Sequence, residues 1–310
     1  MNLFTCGYYP GTFSLFRVTD GIWRWIQGIY QFLIFSALLL SSECIAMAYI
    51  SCTIQQLPWD MTLAVIPFLA AFSIYNLNRK TDEDAVNFQT RFAFTKRYEA
   101  YLYNGSLLAL ALALALAALS GIPSLLATGA PFILGTLYSF RLHPAWSGYR
   151  RLKEIPAVKN IVVGLAWGIF LSFLPVFFWH KEPGPATLVP FLLFFMWGFM
   201  ASLIPAIRDR DGDAAASITT IPVIFGKMQT QRILTGALLL IGIPLAVYSL
   251  FVLPPFAFLI VVAANFYSHG CSALAERDEI IHVVADCISD GQYIFFAVTV
   301  FFIATLHPWY

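Results

Sequence analysis

Charge is what this chain has least of. Of its 310 residues only 11% are Asp, Glu, Lys or Arg, where soluble domains carry about a quarter. The net charge is +1, so no basic surplus marks a nucleic-acid surface. Cysteine is sparse too. Cys6, Cys44, Cys52, Cys271 and Cys287 stand far apart, without a CxxC or Cys/His spacing, which argues against a metal cluster or a disulfide frame. No short apolar core with a small-residue cleavage site stands near residue 1, so the start does not read as a signal peptide. What the chain has in excess is hydrophobicity: 59% of residues, with a mean hydropathy of +0.75. This is the composition of an integral membrane protein, and one domain accounts for it.

Apolar runs lie at about 28–50, 61–77, 101–120, 122–140, 157–178, 188–207, 233–253, 254–268 and 289–306. Each is near the roughly 20 residues that cross the hydrocarbon core, the eighth being short. An isolated strand leaves its backbone groups unsatisfied in lipid, so all nine read as helices. Ahead of them, Phe13, Phe16, Trp23, Trp25 and Ile26 alternate with Arg17, Asp20 and Arg24, a pattern that suits a helix lying in the membrane interface. The expected fold is an all-α membrane protein: an interfacial segment over 1–27, then a bundle of nine transmembrane helices over 28–310.

With nine spans, every lysine and arginine except Lys181 falls on one side. The positive-inside rule makes that side cytoplasmic and places the C-terminus outside, in a multi-pass protein expected in the plasma membrane. Acids gather on the same side. Asp82, Glu83 and Asp84 follow the second span, and Asp209, Asp211 and Asp213 follow the sixth. Acids contribute little to orientation, so these clusters need another cause. Asn78 and Asp82 are spaced i, i+4, as are Asp209 and Asp213, so each pair shares a face if its helix runs past the membrane surface. Facing acid groups repel unless cations lie between them. Mg²⁺ takes one or two carboxylates together with phosphate oxygens, and a Mg²⁺-bridged diphosphate is the natural occupant. Arg91, Arg151, Lys153 and Arg208 are the candidates to neutralise the remaining phosphate charge. For each of these the alternative is topology alone, and for the acidic run it is a solvated loop. A transporter is the rival class, but its acids would mark a path through the membrane, and here almost none lies mid-span.

The pattern Arg208-Asp209-Arg210-Asp211-Gly212-Asp213, then Thr220-Ile221-Pro222-Val223 and Gly226-Lys227, resembles the second aspartate-rich motif of the UbiA superfamily of membrane-embedded prenyltransferases. Tyr138-Ser139, Arg151-Leu152-Lys153, Pro156 and Lys159-Asn160 resemble the family's link between its fourth and fifth helices. The family's first motif, Asn-x3-Asp-x3-Asp, is met at Asn78 and Asp82, but its third position is Val86, leaving Asp84 or Glu83 to replace it. Two further departures are Pro205, where many relatives have an acid or amide, and an insertion at about 141–150.

The resemblance implies a UbiA-like bundle with Asn78, Asp82, Asp84, Asp209 and Asp213 as Mg²⁺ ligands. Asp82, Asp209 and Asp213 would be catalytic, and Asn78, Arg91, Arg151, Lys153 and Arg208 would bind diphosphate. It implies a polyprenyl diphosphate donor and a lipophilic or aromatic acceptor, with lipid and no nucleic acid as partner. Ionisation of the allylic diphosphate would leave a carbocation shielded from water and facing aromatic rings. Candidate rings are Tyr138, Phe140, Trp167, Phe170, Phe173, Trp197 and Phe199, each otherwise a packing or lipid-facing side chain. The departures keep open a different isoprenoid reaction, such as phosphoribosyl transfer, or isoprenoid binding without turnover. Gly164, Gly168 and Gly198 read as an opening toward lipid or, more commonly, as close helix packing. Asn265 reads as an interhelical hydrogen-bond partner, and Asp286 and Asp290 as loop or cap residues.

Overall fold

In lipid no water is at hand for backbone N–H and C=O groups, and the chain meets that constraint with helices. The computed structural model describes residues 20–81, 94, 96–139, 152, 155–215 and 218–306, and no strand occurs among them. The helices are α1 (Asp20–Phe35), α2 (Leu38–Ile54), α3 (Met61–Thr81), α4 (Glu99–Leu119), α5 (Ile122–Ser139), α6 (Val158–Phe178), α7 (Leu188–Ala215), α8 (Ile221–Val252), α9 (Pro255–Leu274) and α10 (Ser289–Leu306). Among the described residues, six segments are long and apolar enough to cross a membrane: α3, α4, α6, α8, α9, and α7 together with the 3₁₀ turn before it. Leu38–Ile54, Ile122–Tyr138 and Ser289–Ile303 are apolar but shorter.

The expected run 28–50 is broken. Ala37 adopts a left-handed conformation (φ 63°) between α1 and α2, and the Ser36 hydroxyl donates to the Phe32 carbonyl at 2.7 Å. A polar residue that bonds back one turn, followed by a strained alanine, ends α1 where hydropathy alone runs on. Two other helices outrun their apolar cores. α7 continues through the charged stretch to Ala215, and α8 starts at Ile221, twelve residues before the expected 233. Within α8, Gly226 (φ 76°, ψ 166°) interrupts the helical path, a conformation that a side chain resists.

α6 and α7 pack against each other through glycine. A Cβ on Gly164 would lie 2.7 Å from the Phe195 carbonyl oxygen, one on Gly168 3.0 Å from that of Phe191, and one on Gly198 3.1 Å from the Gly164 Cα. These glycines therefore bring two backbones together, the close-packing reading and not a lipid opening. Around this seam Trp197, Phe170, Phe194, Leu171 and Met200 are wholly buried. Asn265 differs from expectation: its amide donates to Val261 of its own helix at 3.0 Å, and its side chain fills the space beside Gly242 of α8 that a Cβ would need. Asp290 stands in the first turn of α10, where a carboxylate complements the helix dipole. Glu43 of α2 is an acid that hydropathy hides, only 2% exposed.

Candidate active site at one end of the bundle

The C-terminal ends of α3, α5 and α7 meet the N-terminal ends of α6 and α8 around a cavity of about 670 Å³. Because α7 stays helical through the charged stretch, Asp209 and Asp213 come one turn apart on the same face, and both line this cavity. Asn78, at the end of α3, lines it as well. So does Lys159 in the first turn of α6. The loop into α8 closes the rim: the Thr220 hydroxyl approaches Asp213 Oδ2 at 3.4 Å, and the Ile218 N–H donates to the Asp213 carbonyl at 2.8 Å.

Arg208 is placed differently from Asn78 and the two aspartates. It does not line the cavity but forks onto Asp209, Nε to Oδ1 at 2.7 Å and Nη2 to Oδ2 at 2.9 Å. Asp211 turns outward with Arg210, its side chain 86% exposed. Asp82, Asp84, Arg91, Arg151 and Lys153 lie outside the described residues. Among the described residues no three His, Cys, Asp or Glu side chains form a metal cage. The donors on hand, two carboxylates and an amide oxygen, are hard oxygen ligands of the kind Mg²⁺ accepts, and they fit that ion.

Below the polar rim the walls turn apolar and aromatic. Of the candidate rings, Tyr138 and Trp167 line the cavity. Phe170 and Trp197 are fully buried in the packed interior, and Phe173 and Phe199 belong to the core cluster or pack against it. Phe140 is outside the described residues. Trp167 stacks on Tyr75 of α3, with centroids 5.9 Å apart and planes 18° from parallel. On the α6–α7 wall the Asn160 amide donates to Ser202 Oγ at 2.8 Å, and Ser202 in turn donates to the Phe199 carbonyl at 2.9 Å. Pro205, one turn before Asp209, is an apolar patch on the same wall.

Tyr75 and Ser202 are lining residues that motif reading passes over. Helical periodicity holds the signal for both. Tyr75 is one turn before Asn78, and Ser202 two turns before Asp209, so each falls on the face that its motif defines.

Comparison with known proteins agrees with this architecture. A structure of a UbiA homolog from Archaeoglobus fulgidus bound to DMAPP and Mg²⁺ superposes with a TM-score of 0.56, covering 86% of this chain and 98% of that one at 19% identity. The apo structure of a UbiA homolog from Aeropyrum pernix gives a TM-score of 0.58, covering 83% and 98% at 16% identity. These likenesses are of fold. In sequence, a digeranylgeranylglyceryl phosphate synthase from Methanopyrus kandleri is 31% identical over 86 residues, which is 27% of this chain and 30% of that relative's length. The profile of the UbiA prenyltransferase family matches residues 95–280. That match takes in α4 to α9 and most of the cavity wall, and with it the chain belongs to the UbiA prenyltransferase family, a family of membrane-embedded enzymes.

Proposed function

We propose that this protein transfers a prenyl group from a polyprenyl diphosphate to a lipophilic or aromatic acceptor, in a Mg²⁺-dependent reaction at the cytoplasmic face of the membrane. One observation carries the reading: Asn78 of α3 and Asp209 and Asp213 of α7 line a single cavity whose inner walls are apolar and aromatic. Oxygen donors at one end suit a cation-bound diphosphate, and the walls beyond suit a hydrocarbon tail. The ligands that the A. fulgidus homolog's structure contains, and the synthase name of the M. kandleri relative, support the same chemistry.

In this reading Asn78, Asp82, Asp84, Asp209 and Asp213 hold Mg²⁺, which supplies positive charge to the departing diphosphate. Lys159 adds a cation at the rim, and Arg91, Arg151 and Lys153 are assigned to the phosphate oxygens. Arg208 acts through Asp209 by holding its carboxylate. As the allylic C–O bond ionises, Tyr75, Tyr138 and Trp167 offer ring faces to the developing cation, and the apolar wall keeps water away until the acceptor attacks. The nine apolar segments are assigned as spans, with the C-terminus outside.

The test is consumption of allylic diphosphates by the purified protein. Turnover should require Mg²⁺ and fall by roughly 100-fold or more in Asp209→Asn and Asp213→Asn. Turnover that survives both chelation and these substitutions would overturn the assignment.

A further inference from the structure

Resting on the reading of this cavity as the donor site, we infer that Asn160 orients the second substrate: its side-chain oxygen takes a hydrogen bond from an O–H or N–H group on the acceptor. Asn160 stands in the first turn of α6, lines the cavity and is only 5% exposed. Ser202 of α7 fixes the direction of its amide. The Ser202 hydroxyl gives its proton to the Phe199 carbonyl at 2.9 Å, so toward Asn160 it can only accept. The Asn160 –NH₂ therefore faces Ser202, at 2.8 Å, and Oδ1 faces away from it. Among the described residues no donor reaches that oxygen. A buried acceptor oxygen without a proton is costly, and one held at the wall of a substrate cavity is set for a donor that arrives with the substrate.

The prenyl diphosphate does not supply that donor. Phosphate oxygens accept and are repelled by a carbonyl, and a hydrocarbon tail carries no polar hydrogen. Position agrees with a separate role. Ser202, and Asn160 with it, lies two turns from Asp209, about 10 Å further into the bundle along α7. Between them Pro205 and Ala206 line the cavity and bring no polar side-chain atom. The wall thus runs carboxylate, hydrocarbon, amide. That order suits a cation-bound diphosphate, then the allylic carbons, then an acceptor that donates a hydrogen bond. Lys159, the chain neighbour, has donors alone and cannot receive an O–H. An amide is too weak a base to keep the proton, so Asn160 fixes where the acceptor's hydrogen-bearing atom lies and leaves the chemistry to the donor site.

The experiment measures binding of matched probes to the full chain in detergent, with Mg²⁺ and the tightest-binding of the dimethylallyl, geranyl and farnesyl thiolodiphosphates, which do not ionise. Naphthol and an octyl glycerol ether present an aromatic and an aliphatic hydroxyl; methoxynaphthalene and the O-methylated octyl glycerol ether present the same bodies without the proton. Corrected for uptake by empty micelles, wild type is expected to bind one hydroxyl probe roughly tenfold tighter than its methyl ether. Which pair shows the preference separates an aromatic acceptor from a lipid one. Asn160→Ala should abolish the preference and leave thiolodiphosphate affinity as in wild type. Ser202→Ala frees the amide to turn its –NH₂ to the cavity, and should improve the ether relative to the hydroxyl by roughly fivefold. A merely structural role would weaken hydroxyl and ether alike. Wild type without a preference in either pair overturns the inference, as does an Asn160→Ala protein that keeps it. If Asn160→Ala does not fold, the wild-type ratios and Ser202→Ala decide, and a ratio that Ser202→Ala leaves in place overturns the inference equally. Wild-type protein that binds none of the thiolodiphosphates in Mg²⁺ overturns the donor-site reading itself, a result distinct from an unchanged ratio.

Discussion

The guanidinium of Arg208 closes on the carboxylate of its own chain neighbour, Asp209, with both carboxylate oxygens engaged at 2.7 and 2.9 Å. The arginine side chain is 10% exposed and the aspartate 24%, so the pair is largely shielded. Each carboxylate oxygen keeps a second lone pair, and Arg208 thereby orients Asp209 while leaving it able to accept from the cavity. Lysine cannot reproduce a planar two-point grip. Arg208→Lys should cost roughly 10- to 100-fold in kcat/KM and raise the Mg²⁺ concentration needed for half-maximal rate. An unchanged Mg²⁺ titration in that variant would show that the fork does not position Asp209.

The seam between α6 and α7 should tolerate no methyl group at Gly164, where a Cβ would meet backbone at 2.7 Å. Gly164→Ala is expected to destabilise by about 1–3 kcal/mol, because two backbones must separate. Gly236 in α8 is the matched control, since a methyl group there would meet nothing within 4 Å. Gly236→Ala should be neutral or stabilise by up to about 1 kcal/mol through helix propensity. Thermal unfolding of both variants in one detergent checks the contrast.

Asn160 and Ser202 tie the two walls of the cavity together at 2.8 Å. Removing either partner should cost about 1 kcal/mol of stability, and the double variant Asn160→Ala/Ser202→Ala should cost less than the sum of the two. Additive losses in melting experiments would mean that the bond does not couple the helices.

Acid should loosen the contact between Lys227 of α8 and Asp278 in the loop after α9. Lys227, by its hydrogen bond first and its charge second, holds the Asp278 carboxyl below its ordinary value of 3.8. The folded form therefore binds this proton less readily than the unfolded form. The contact contributes fully above the ordinary carboxylate value, and that contribution is lost as pH falls through the lowered one. Asp278 is fully exposed, so the effect is small and salt-sensitive. Wild type and Asp278→Asn should differ by a constant, slight amount in melting temperature above about pH 5 and converge in stronger acid. A difference that persists at low pH would rule out this pairing as its source.

Much of this protein was legible before folding was considered, because lipid makes the code simple. Long apolar runs had to be helices, and Asp209 and Asp213 had to share a face once α7 stayed helical. The break at Ala37 was not legible, since hydropathy runs unbroken through it and the signal is a local hydroxyl-to-backbone bond. Neither was the partition of the aromatic rings. Trp167 and Trp197 look alike in an apolar stretch, yet one lines the cavity while the other is buried and donates to Ser268 at 3.2 Å. Which way a ring faces depends on the helices packed around it, and a chain read in one dimension does not contain those neighbours. Periodicity along a helix is a property of the sequence; the meeting of α3, α5, α6 and α7 around Asn78 and Asp209 is a property of packing, in which glycines let the backbones of α6 and α7 approach.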